Sequence, residues 1–525
     1  MLGFNKKQML GIINSYWPKS YKSKRDLEKI KEDCELIRGV EKGENYINAQ
    51  SFDDLSMDEI FKVVDRTNST PGETMLMYTL TDPIFDVGEL QKRDKIIDEI
   101  KENTSLRDKL NYLLFDLGRE GKREVLSFIL EDKKPSRIKE FLYMLIGSLI
   151  PVFILGAIFI DLRFLIAATM VYLVNIEIHY HIENKFEIGN IPYLAKMIST
   201  LKKIKEIDDD EFKDFRERAE RIYGRIKPIN REIFFISKSE DLDSLLDLVF
   251  LFFLLQERAY YKFIKKLPVY RNDLYDGYKL IGEIDTYCSV AALRADLPCY
   301  AKPEFNRKKE IQIEEGYHLL VENAVANSIE VNKTGAIITG SNMSGKSTFL
   351  KMTAINCLFA QTIFTCPAKK YEGDLFHIIT SLNPKEDILE GKSYYLGEAK
   401  AILSILQEQA KGKNVVCFID EIFRGTNPLE RISASRALLN YFNKEKVLCL
   451  ISTHDIEITR YFDNIYNFYH FEDDVSREKG LIFDYHIKEG IGTKSNAIKL
   501  LEYIGYPEEV TKEANETLEE LRKII

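Results

Sequence analysis

The chain has 525 residues, of which 45% are hydrophobic and 30% charged, and its formal net charge is −9. This composition excludes a disordered chain and predicts two or three domains with a sizeable core. The acidic balance argues against nucleic-acid binding through bulk charge, although a local basic face on one domain remains open.

The seven cysteines are scattered and show no C-x-x-C spacing. This pattern argues against a disulfide framework or a zinc site and favours a reducing compartment. No apolar run of signal-peptide length precedes the first charged residues, so we do not expect secretion.

The first 140 residues predict a mostly α-helical region. Lys, Glu, Leu and Ile recur at three- and four-residue spacing, which is typical of amphipathic helices. Pro71 and Gly72 interrupt the pattern, and we expect the apolar helix that follows to end near Pro83.

Composition changes sharply at residues 141–160, where FLYMLIGSLIPVFILGAIFI contains no charged residue. As a helix this run is about 30 Å long, the thickness of a bilayer hydrocarbon core. A second apolar run, 164–178, follows after a short DLR turn, so residues 141–178 predict a transmembrane hairpin. The basic residues that flank it place both ends in the cytoplasm. A hairpin buried in the protein core is the alternative.

The remainder predicts one more apolar helix and then an α/β domain. The run LLDLVFLFFLLQ, residues 245–256, is too short to span a membrane and has acidic flanks, so we expect a buried helix. From about residue 303, short β-branched runs such as GAIITG, VVCFID and VLCLIS alternate with helices, which predicts a parallel sheet.

The segment ITGSNMSGKSTFLK contains a G-x-x-x-x-G-K-[ST] pattern between an apolar strand and a helix. In such a loop the backbone N–H groups curve around phosphate oxygens at a helix N-terminus. Lys346 would reach the terminal phosphates, and the Ser347 hydroxyl would bind Mg²⁺. The predicted ATP-binding residues of this segment are Gly340, Ser341, Asn342, Met343, Ser344, Gly345, Lys346, Ser347 and Thr348.

Two further apolar strands are expected to complete this site. NVVCFIDEIFRGT ends a strand with Asp420, which would hold Mg²⁺, and Glu421, which would orient or deprotonate the attacking water. KVLCLISTHDIEIT ends a strand at His454, which can sense a γ-phosphate. The predicted catalytic residues are thus Glu421, Lys346 and His454. The alternative for the acidic pair is two solvated carboxylates at a strand end.

Taken together, these segments resemble the MutS family of mismatch-repair ATPases, relatives of the ABC ATPase fold. TGSNMSGKST, DEIFRGT and STHDIEIT are similar to its phosphate loop, acidic strand and histidine switch. YHIKEGIGTKSNAIKLLEYIGYPEEVTKEA is similar to the stretch after its last strands. Upstream, VVDRTNSTPGETMLMYTLTDPI resembles the start of its helical core, and EIDTYCSVAALRADLPCYAKPEF resembles its lever helix.

The resemblance implies a domain order. It gives an N-terminal helical segment at 1–50, an α-helical core and lever domain at 51–302 that carries the apolar hairpin, and an α/β P-loop NTPase domain at 303–525. It also implies ATP and Mg²⁺ as cofactors and a homodimer that buries two nucleotides.

Individual residues follow from the same resemblance. EGKSYYLGEAKAIL is similar to the segment that reaches the partner's nucleotide, which makes Ser393 the contact in trans. Gln361 occupies the family's glutamine position beneath the phosphate loop. Val325 and Asn327 fall at the adenine contact, without the aromatic residue often present there.

The departures from the family shape the functional expectation. About fifty residues precede the core segment, too few for a mismatch-reading domain, and little room remains for clamp arms. We expect a membrane-anchored ATPase that couples dimer closure to binding of mismatched or branched DNA, with its ATPase domain in the cytoplasm. The alternatives are an ATPase switch acting on a protein partner without DNA, and a wholly cytoplasmic protein. A transporter subunit is a weaker third hypothesis, because the hairpin lacks polar intramembrane sites.

Overall fold

The computed structural model describes residues 6–19, 25–43, 45–121, 123–132, 137–185, 191–237, 244–341, 343–382, 394–476, 480–492 and 497–524. The chain forms two compact units. We call Met1–Gly43, Asp65–Tyr78 and Lys95–Ala295 the helical unit, and Glu44–Val64, Thr79–Asp94 and Asp296–Ile525 the sheet unit.

Helices make up most of the first 296 residues, as the three- and four-residue spacing predicts for the first 140. The helices in that stretch are α1 (Lys6–Tyr16), α2 (Leu27–Glu41), α3 (Ala49–Asp54), α4 (Met57–Val64), α5 (Thr70–Thr81), α6 (Val87–Glu102), α7 (Thr104–Leu117), α8 (Val125–Leu130), α9 (Arg137–Phe159), α10 (Phe164–Lys185), α11 (Ile191–Ile204), α12 (Lys213–Ile226), α13 (Asn230–Ser237), α14 (Ser244–Phe253) and α15 (Leu255–Asp296), with a 3₁₀ turn at Lys227–Ile229.

The remaining residues alternate strands and helices. The strands are β1 (Glu304–Phe305), β2 (Ile311–Gly316), β3 (Asn327–Val331), β4 (Gly335–Thr339), β5 (Lys370–Gly373), β6 (His377–Ser381), β7 (Val415–Asp420), β8 (Leu448–Thr453), β9 (Asn467–Ser476) and β10 (Gly480–Glu489); the helices are α16 (Lys346–Thr362), α17 (Tyr394–Ala410), α18 (Pro428–Glu445), α19 (Ala497–Ile504) and α20 (Glu508–Ile524), with a 3₁₀ turn at Ile456–Tyr461. The expected class, a helix-rich part followed by an α/β part, is confirmed at this level.

A buried carboxylate joins two helices of the helical unit. Asp285, near the end of α15, accepts hydrogen bonds from the backbone N–H of Asn68 at 3.1 Å and from the N–H and hydroxyl of Ser69 at 2.8 and 2.6 Å. These donors lie just before α5, whose first turn contains Pro71, a favourable position for proline. Gly72 lies so close that a Cβ there would be 2.0 Å from the Asp285 carboxylate. Asp285 therefore anchors the turn that precedes α5, and within that turn the Ser69 hydroxyl oxygen accepts from the N–H of Gly72 at 3.1 Å.

The apolar region forms two consecutive helices, α9 and α10. The stretch Ile138–Phe159 is long and apolar enough to cross a membrane, and Phe164–His179 is a shorter apolar helix. The rings of Phe153 and Phe164 lie 6.2 Å apart, so the two helices pack against each other. Most of their other large apolar side chains are exposed. Whether they enter a membrane stays a prediction.

The short helix α14 packs against this pair rather than inside a core. Asn175 of α10 donates to the carbonyl oxygens of Leu251 and Phe252 at 3.0 and 3.1 Å. The helix ends just before Leu254, whose φ of 46° is left-handed, and Val249 is exposed. The helix expected over residues 245–256 therefore ends earlier than predicted, at Phe253, and Val249 is exposed although Leu254 and Gln256 are buried.

The sheet unit contains a six-stranded sheet of order β10-β9-β4-β8-β7-β6. Neighbouring strands are parallel except at the edge, where β10 pairs with β9 in antiparallel register. The parallel sheet is thus as predicted, with an antiparallel edge added. A second sheet of order β1-β5-β2-β3 was not expected, because β1 and β5 have only two and four residues.

The sheet unit also takes in residues from early in the chain. In α3, Ser51 accepts a hydrogen bond from the backbone N–H of Thr380 at 3.0 Å, and Asp54 accepts from the Thr380 hydroxyl and the Leu382 N–H at 2.7 and 2.9 Å. The boundaries of the compact units therefore differ from the divisions at residues 50 and 302, since residues 44–64 and 79–94 lie with the sheets.

Candidate functional site

The predicted phosphate loop connects the fully buried strand β4 to the first turn of α16. Gly340 and Gly345 have φ values of 146° and 106°, and Met343 has 70°. Left-handed residues of this kind occur in loops whose N–H groups curve around an anion, and this loop ends at the N-terminus of a 17-residue helix. The strand, loop and helix therefore form an anion-binding geometry.

Lys346 lies folded back over this loop and is only 5% exposed. Its Nζ donates to the carbonyl oxygens of Gly340 and Ser341 at 2.9 and 2.7 Å, which uses two of its three protons. Burial lowers the pKa of Lys346, while the charges of Asp420 and Glu421 act against that shift. The lysine is thus held beside the loop, with one proton left for a ligand.

Asp420 lies at the end of β7 and meets the first turn of α16. The hydroxyl of Ser347 donates to its Oδ2, and the hydroxyl of Ser452, from β8, donates to its Oδ1. The two residues predicted to bind Mg²⁺ are therefore adjacent. Carboxylate and hydroxyl oxygens are the donors that Mg²⁺ prefers, so Ser347 and Asp420 fit this ion.

Glu421 follows with a left-handed φ of 61°, which turns its side chain away from that of Asp420. Its Oε1 lies 2.9 Å from Nε2 of His454, and its Oε2 lies 3.1 Å from Nε of Arg424. The hydrogen bond from His454 lowers the pKa of Glu421, against the effect of burial. Glu421 is therefore kept as a carboxylate, the form that a general base requires.

His454 lies between this carboxylate and the lysine. Its Nε2 is 3.4 Å from Nζ of Lys346 and 2.9 Å from Glu421. Because a carboxylate accepts only, the Nε2 proton of His454 points to Glu421. All three predicted catalytic residues, Lys346, Glu421 and His454, are therefore in contact.

A cavity of about 600 Å³ borders this cluster. Its volume falls in the range of small-molecule sites, which are typically about 300–1,000 Å³. The phosphate loop and the acidic pair line one part of it, and Val325 and Asn327 line another. The residues predicted to contact phosphate and adenine thus face the same space.

Tyr485 is an aromatic residue of this cavity that the sequence reasoning missed. It lies in β10, where the register with β9 shifts between Phe483 and Ile487, and its φ of 55° is left-handed. Its ring passes close to the loop, since a Cβ on Gly345 would lie 3.4 Å from it. The tyrosine is 46% exposed and borders the cavity, so it offers a flat apolar surface there.

Asn327 fixes this part of β10. Its side-chain amide donates to the carbonyl oxygen of Tyr485 at 3.0 Å and accepts from the N–H of Ile487 at 2.8 Å. These bonds bridge the shifted register. The aromatic residues of FDYHI were the signal for Tyr485 in the sequence, but the direction of its ring depends on this local backbone geometry.

Three other predicted residues are not part of the described cluster. Gln361 lies 14 residues beyond Ser347 in α16, about 21 Å along the helix, and its buried amide exchanges hydrogen bonds with the backbone of Phe376 at 3.0 and 2.7 Å. The expected position beneath the phosphate loop is therefore wrong. Asn342 and Ser393 fall outside the described residues.

Comparison with known proteins agrees with this geometry. Residues 336–522 match the family model of MutS domain V. The chain is similar to the DNA mismatch repair protein MutS of Persephonella marina, with 26% identity over 517 residues, covering 87% of this chain and 58% of that protein. It is also similar to the proteins of the same name from Thermus thermophilus, with 30% identity over 47% of this chain and 30% of that protein, and from Clostridium botulinum, with 31% identity over 46% and 27%.

The chain thus spans less than two thirds of the length of each of these relatives. The family model covers the strands and helices that carry Lys346, Asp420, Glu421 and His454. The resemblance to the MutS family that the motifs indicate is therefore confirmed.

Proposed function

We propose that this MutS-related chain binds ATP with Mg²⁺ in the cavity beside Lys346 and hydrolyses it. The observation that carries the proposal is the meeting of Lys346, Ser347, Asp420, Glu421 and His454, which come from three strand ends. Such a set matches what phosphoryl transfer needs: cations for the phosphates, oxygen ligands for a metal and a base for water.

Each residue has a separate task in this proposal. The loop N–H groups and Lys346 would neutralise phosphate charge, and Ser347 and Asp420 would hold Mg²⁺, which would supply further positive charge to the phosphates. Glu421 accepts a proton from, or orients, the attacking water. His454 donates to Glu421 and lies near Lys346, where a γ-phosphate would change its contacts. Tyr485 supplies the surface against which adenine stacks.

The test is ATP binding with a matched pair of lysine variants. Lys346→Ala removes a charged donor from the phosphates, so we expect about a 10- to 100-fold weaker Kd. Lys351→Ala, on the same helix but away from the cavity lining, should bind as the wild type does. Equal affinities of the two variants, or no ATP uptake by the wild type measured by equilibrium dialysis, would contradict the proposal.

We further propose a homodimer that closes on two nucleotides and moves the helical unit. The support is the similarity of EGKSYYLGEAKAIL to the family segment that acts in trans, with Ser393 as the contact. If this dimer is the active form, a monomer hydrolyses ATP poorly. Light scattering of the purified chain with and without ATP and Mg²⁺ measures this, and an unchanged mass would count against it.

DNA is the proposed partner of the helical unit, because the relatives are named as DNA mismatch repair proteins. The net charge of −9 favours the alternative, a switch that acts on a protein partner. Filter binding to mismatched, branched and single-stranded DNA separates the two. Phosphate contacts give an affinity that falls steeply with salt, whereas the protein-partner alternative gives no such binding.

Attachment to the cell membrane through residues 141–178, with the ATPase domain cytoplasmic, is also a proposal. Its support is the length of the apolar stretch Ile138–Phe159 and the exposure of its side chains. The alternative is a cytoplasmic protein whose apolar helices are covered by other protein. Carbonate extraction of membranes tests this, since an embedded hairpin stays in the pellet and a covered one is released.

A further inference from the structure

A buried carboxylate outside the cavity holds the turn that carries the acidic pair. Glu398, in α17, is only 2% exposed. It accepts hydrogen bonds from the backbone N–H of Arg424 at 3.2 Å and of Gly425 at 3.4 Å. It does not border the cavity, so neither metal binding nor proton transfer accounts for it. Because a buried carboxylate is costly unless hydrogen-bonded, these two bonds define its role.

The turn that Glu398 contacts needs such support. Glu421 and Phe423 have φ values of 61° and 57°, a backbone conformation that non-glycine residues rarely adopt. Residues of this kind persist only where the surroundings hold them in place. The other support comes from the same helix, because Tyr395 packs on Gly425 and its ring lies 6.0 Å from that of Phe423.

We propose that Glu398 is a positioning residue that fixes the direction of the Glu421 carboxylate by holding the backbone of residues 424 and 425. The inference rests on the proposed function, in which Glu421 directs water. Arg424 connects the two carboxylates, since its backbone N–H donates to Glu398 and its guanidinium group pairs with Glu421. Loosening the turn would misdirect the base but leave the phosphate loop unchanged. Substitution of Glu398 should therefore slow the chemical step without changing the affinity for ATP.

The test compares Glu398→Ala and Glu398→Gln with the wild type. Nucleotide affinity is measured with a fluorescent ATP analogue, and the chemical step with single-turnover phosphate release. We expect Glu398→Ala to slow the chemical step about 10- to 100-fold, as small misplacements of reacting groups do, with Kd within about twofold. Glu398→Gln keeps one acceptor oxygen, so its rate of phosphate release should lie between those of the wild type and Glu398→Ala.

Two further variants separate positioning from general damage. Asp374 also accepts a backbone N–H, from Leu375 at 2.8 Å, and a side-chain amide, from Asn414 at 3.0 Å, but lies away from the cavity. Asp374→Asn should therefore leave the chemical rate unchanged. Gly425→Ala would place a Cβ 3.0 Å from Tyr395 and push the turn away from α17, so it should slow the chemical step with Glu398 intact.

The outcomes are distinguishable. A wild-type rate in both Glu398→Ala and Gly425→Ala overturns the positioning role while leaving the proposed ATPase in place. Parallel losses of affinity, rate and Tm in the Glu398 variants, matched by Asp374→Asn, also overturn it, because they indicate a structural role alone. A wild-type protein that binds and hydrolyses no ATP overturns the proposed function itself.

Discussion

The helical unit and the sheet unit both place a carboxylate against hydrogen-bond donors, with opposite electrostatic results. Asp285 has no exposed surface, and burial raises its pKa to about 7 although three donors from Asn68 and Ser69 act against the shift. Glu421 borders a cavity, and the hydrogen bond from His454 lowers its pKa. A carboxylate that only anchors a turn can be isolated from solvent, whereas one that must act on water keeps both its charge and its access to solvent.

The largest effect should come from removing the base character of Glu421. Glu421→Gln keeps the shape and a hydrogen bond to His454 but cannot take a proton. We expect the hydrolysis rate to fall about 10²- to 10⁴-fold, the usual contribution of a general base, with nearly unchanged ATP affinity. Steady-state phosphate release measures the first quantity and equilibrium dialysis the second.

The same variant tests dimer closure, because hydrolysis can no longer release the closed state. Glu421→Gln should accumulate as nucleotide-bound dimers with ATP and Mg²⁺. If the variant and the wild type are equally monomeric by light scattering, closure on two nucleotides is wrong. If Glu421→Gln hydrolyses ATP as fast as the wild type, Glu421 is not the base. The contrast drawn between the surroundings of Glu421 and those of Asp285 would then have no consequence for the reaction.

The next effect concerns stability through Asp285. Asp285→Ala would leave the N–H and hydroxyl donors of Asn68 and Ser69 buried without an acceptor. We expect a loss of about 2–4 kcal/mol in the free energy of unfolding, because each buried donor left without an acceptor costs about 1–3 kcal/mol. Urea denaturation measures this loss. A loss below about 0.5 kcal/mol, as is usual for surface changes, would contradict the anchoring role of Asp285.

The pH dependence sharpens this point. The folded pKa of Asp285, about 7, lies above its ordinary value of 3.8, so the folded state binds the extra proton. Stability from this group is therefore present at low pH and is lost as pH rises from about 4 through 7. Asp33 and Glu120 have pKa values raised by burial to about 6 and 7 and contribute in the same direction.

A comparison with Asp285→Asn isolates the contribution of Asp285. The asparagine does not titrate, so the decline in unfolding free energy between about pH 5 and pH 8 should be smaller than in the wild type. Asp33 and Glu120 are common to both proteins and cancel in the difference. Identical pH profiles for the two proteins would mean that Asp285 is already ionised at the acidic end of this range, with the donors outweighing burial.

The sequence could predict that the candidate site residues lie close together, for a topological reason. Lys346, Asp420 and His454 each follow a strand of apolar residues, and β4, β8 and β7 are parallel neighbours in one sheet. Residues at the same end of adjacent parallel strands must lie close together. The helices of the first 140 residues were predictable because their apolar spacing sets which face is buried.

Other features depend on contacts that no local pattern contains. The four-stranded sheet was missed because β1 and β5 are too short to show alternation. Gln361 was misplaced because the length of α16 separates it from the loop. The end of α14 was misjudged, since the left-handed φ of Leu254 interrupts the apolar run after Phe253. Tyr485 was missed because a register shift and a left-handed φ direct its ring.

The smallest expected effect tests Tyr485, the residue that the sequence reasoning missed. If adenine stacks on its ring, Tyr485→Ala should weaken ATP binding about 5- to 10-fold, since stacking of a base on an aromatic side chain contributes about 1–3 kcal/mol and part of this contact is solvent-exposed. Tyr485→Phe keeps the ring and should bind as the wild type does. Inorganic triphosphate, which has no base, should bind all three proteins equally.

This comparison separates the two ends of the cavity. Lys346→Ala should weaken ATP and triphosphate alike, because the lysine faces phosphate. A loss in Tyr485→Ala that extends to triphosphate would show that the tyrosine supports the loop at Gly345 rather than the base. A loss in Tyr485→Phe would point to the hydroxyl instead of the ring. Only a loss confined to the alanine variant and to ATP agrees with a flat surface that the bulge in β10 turns toward the nucleotide.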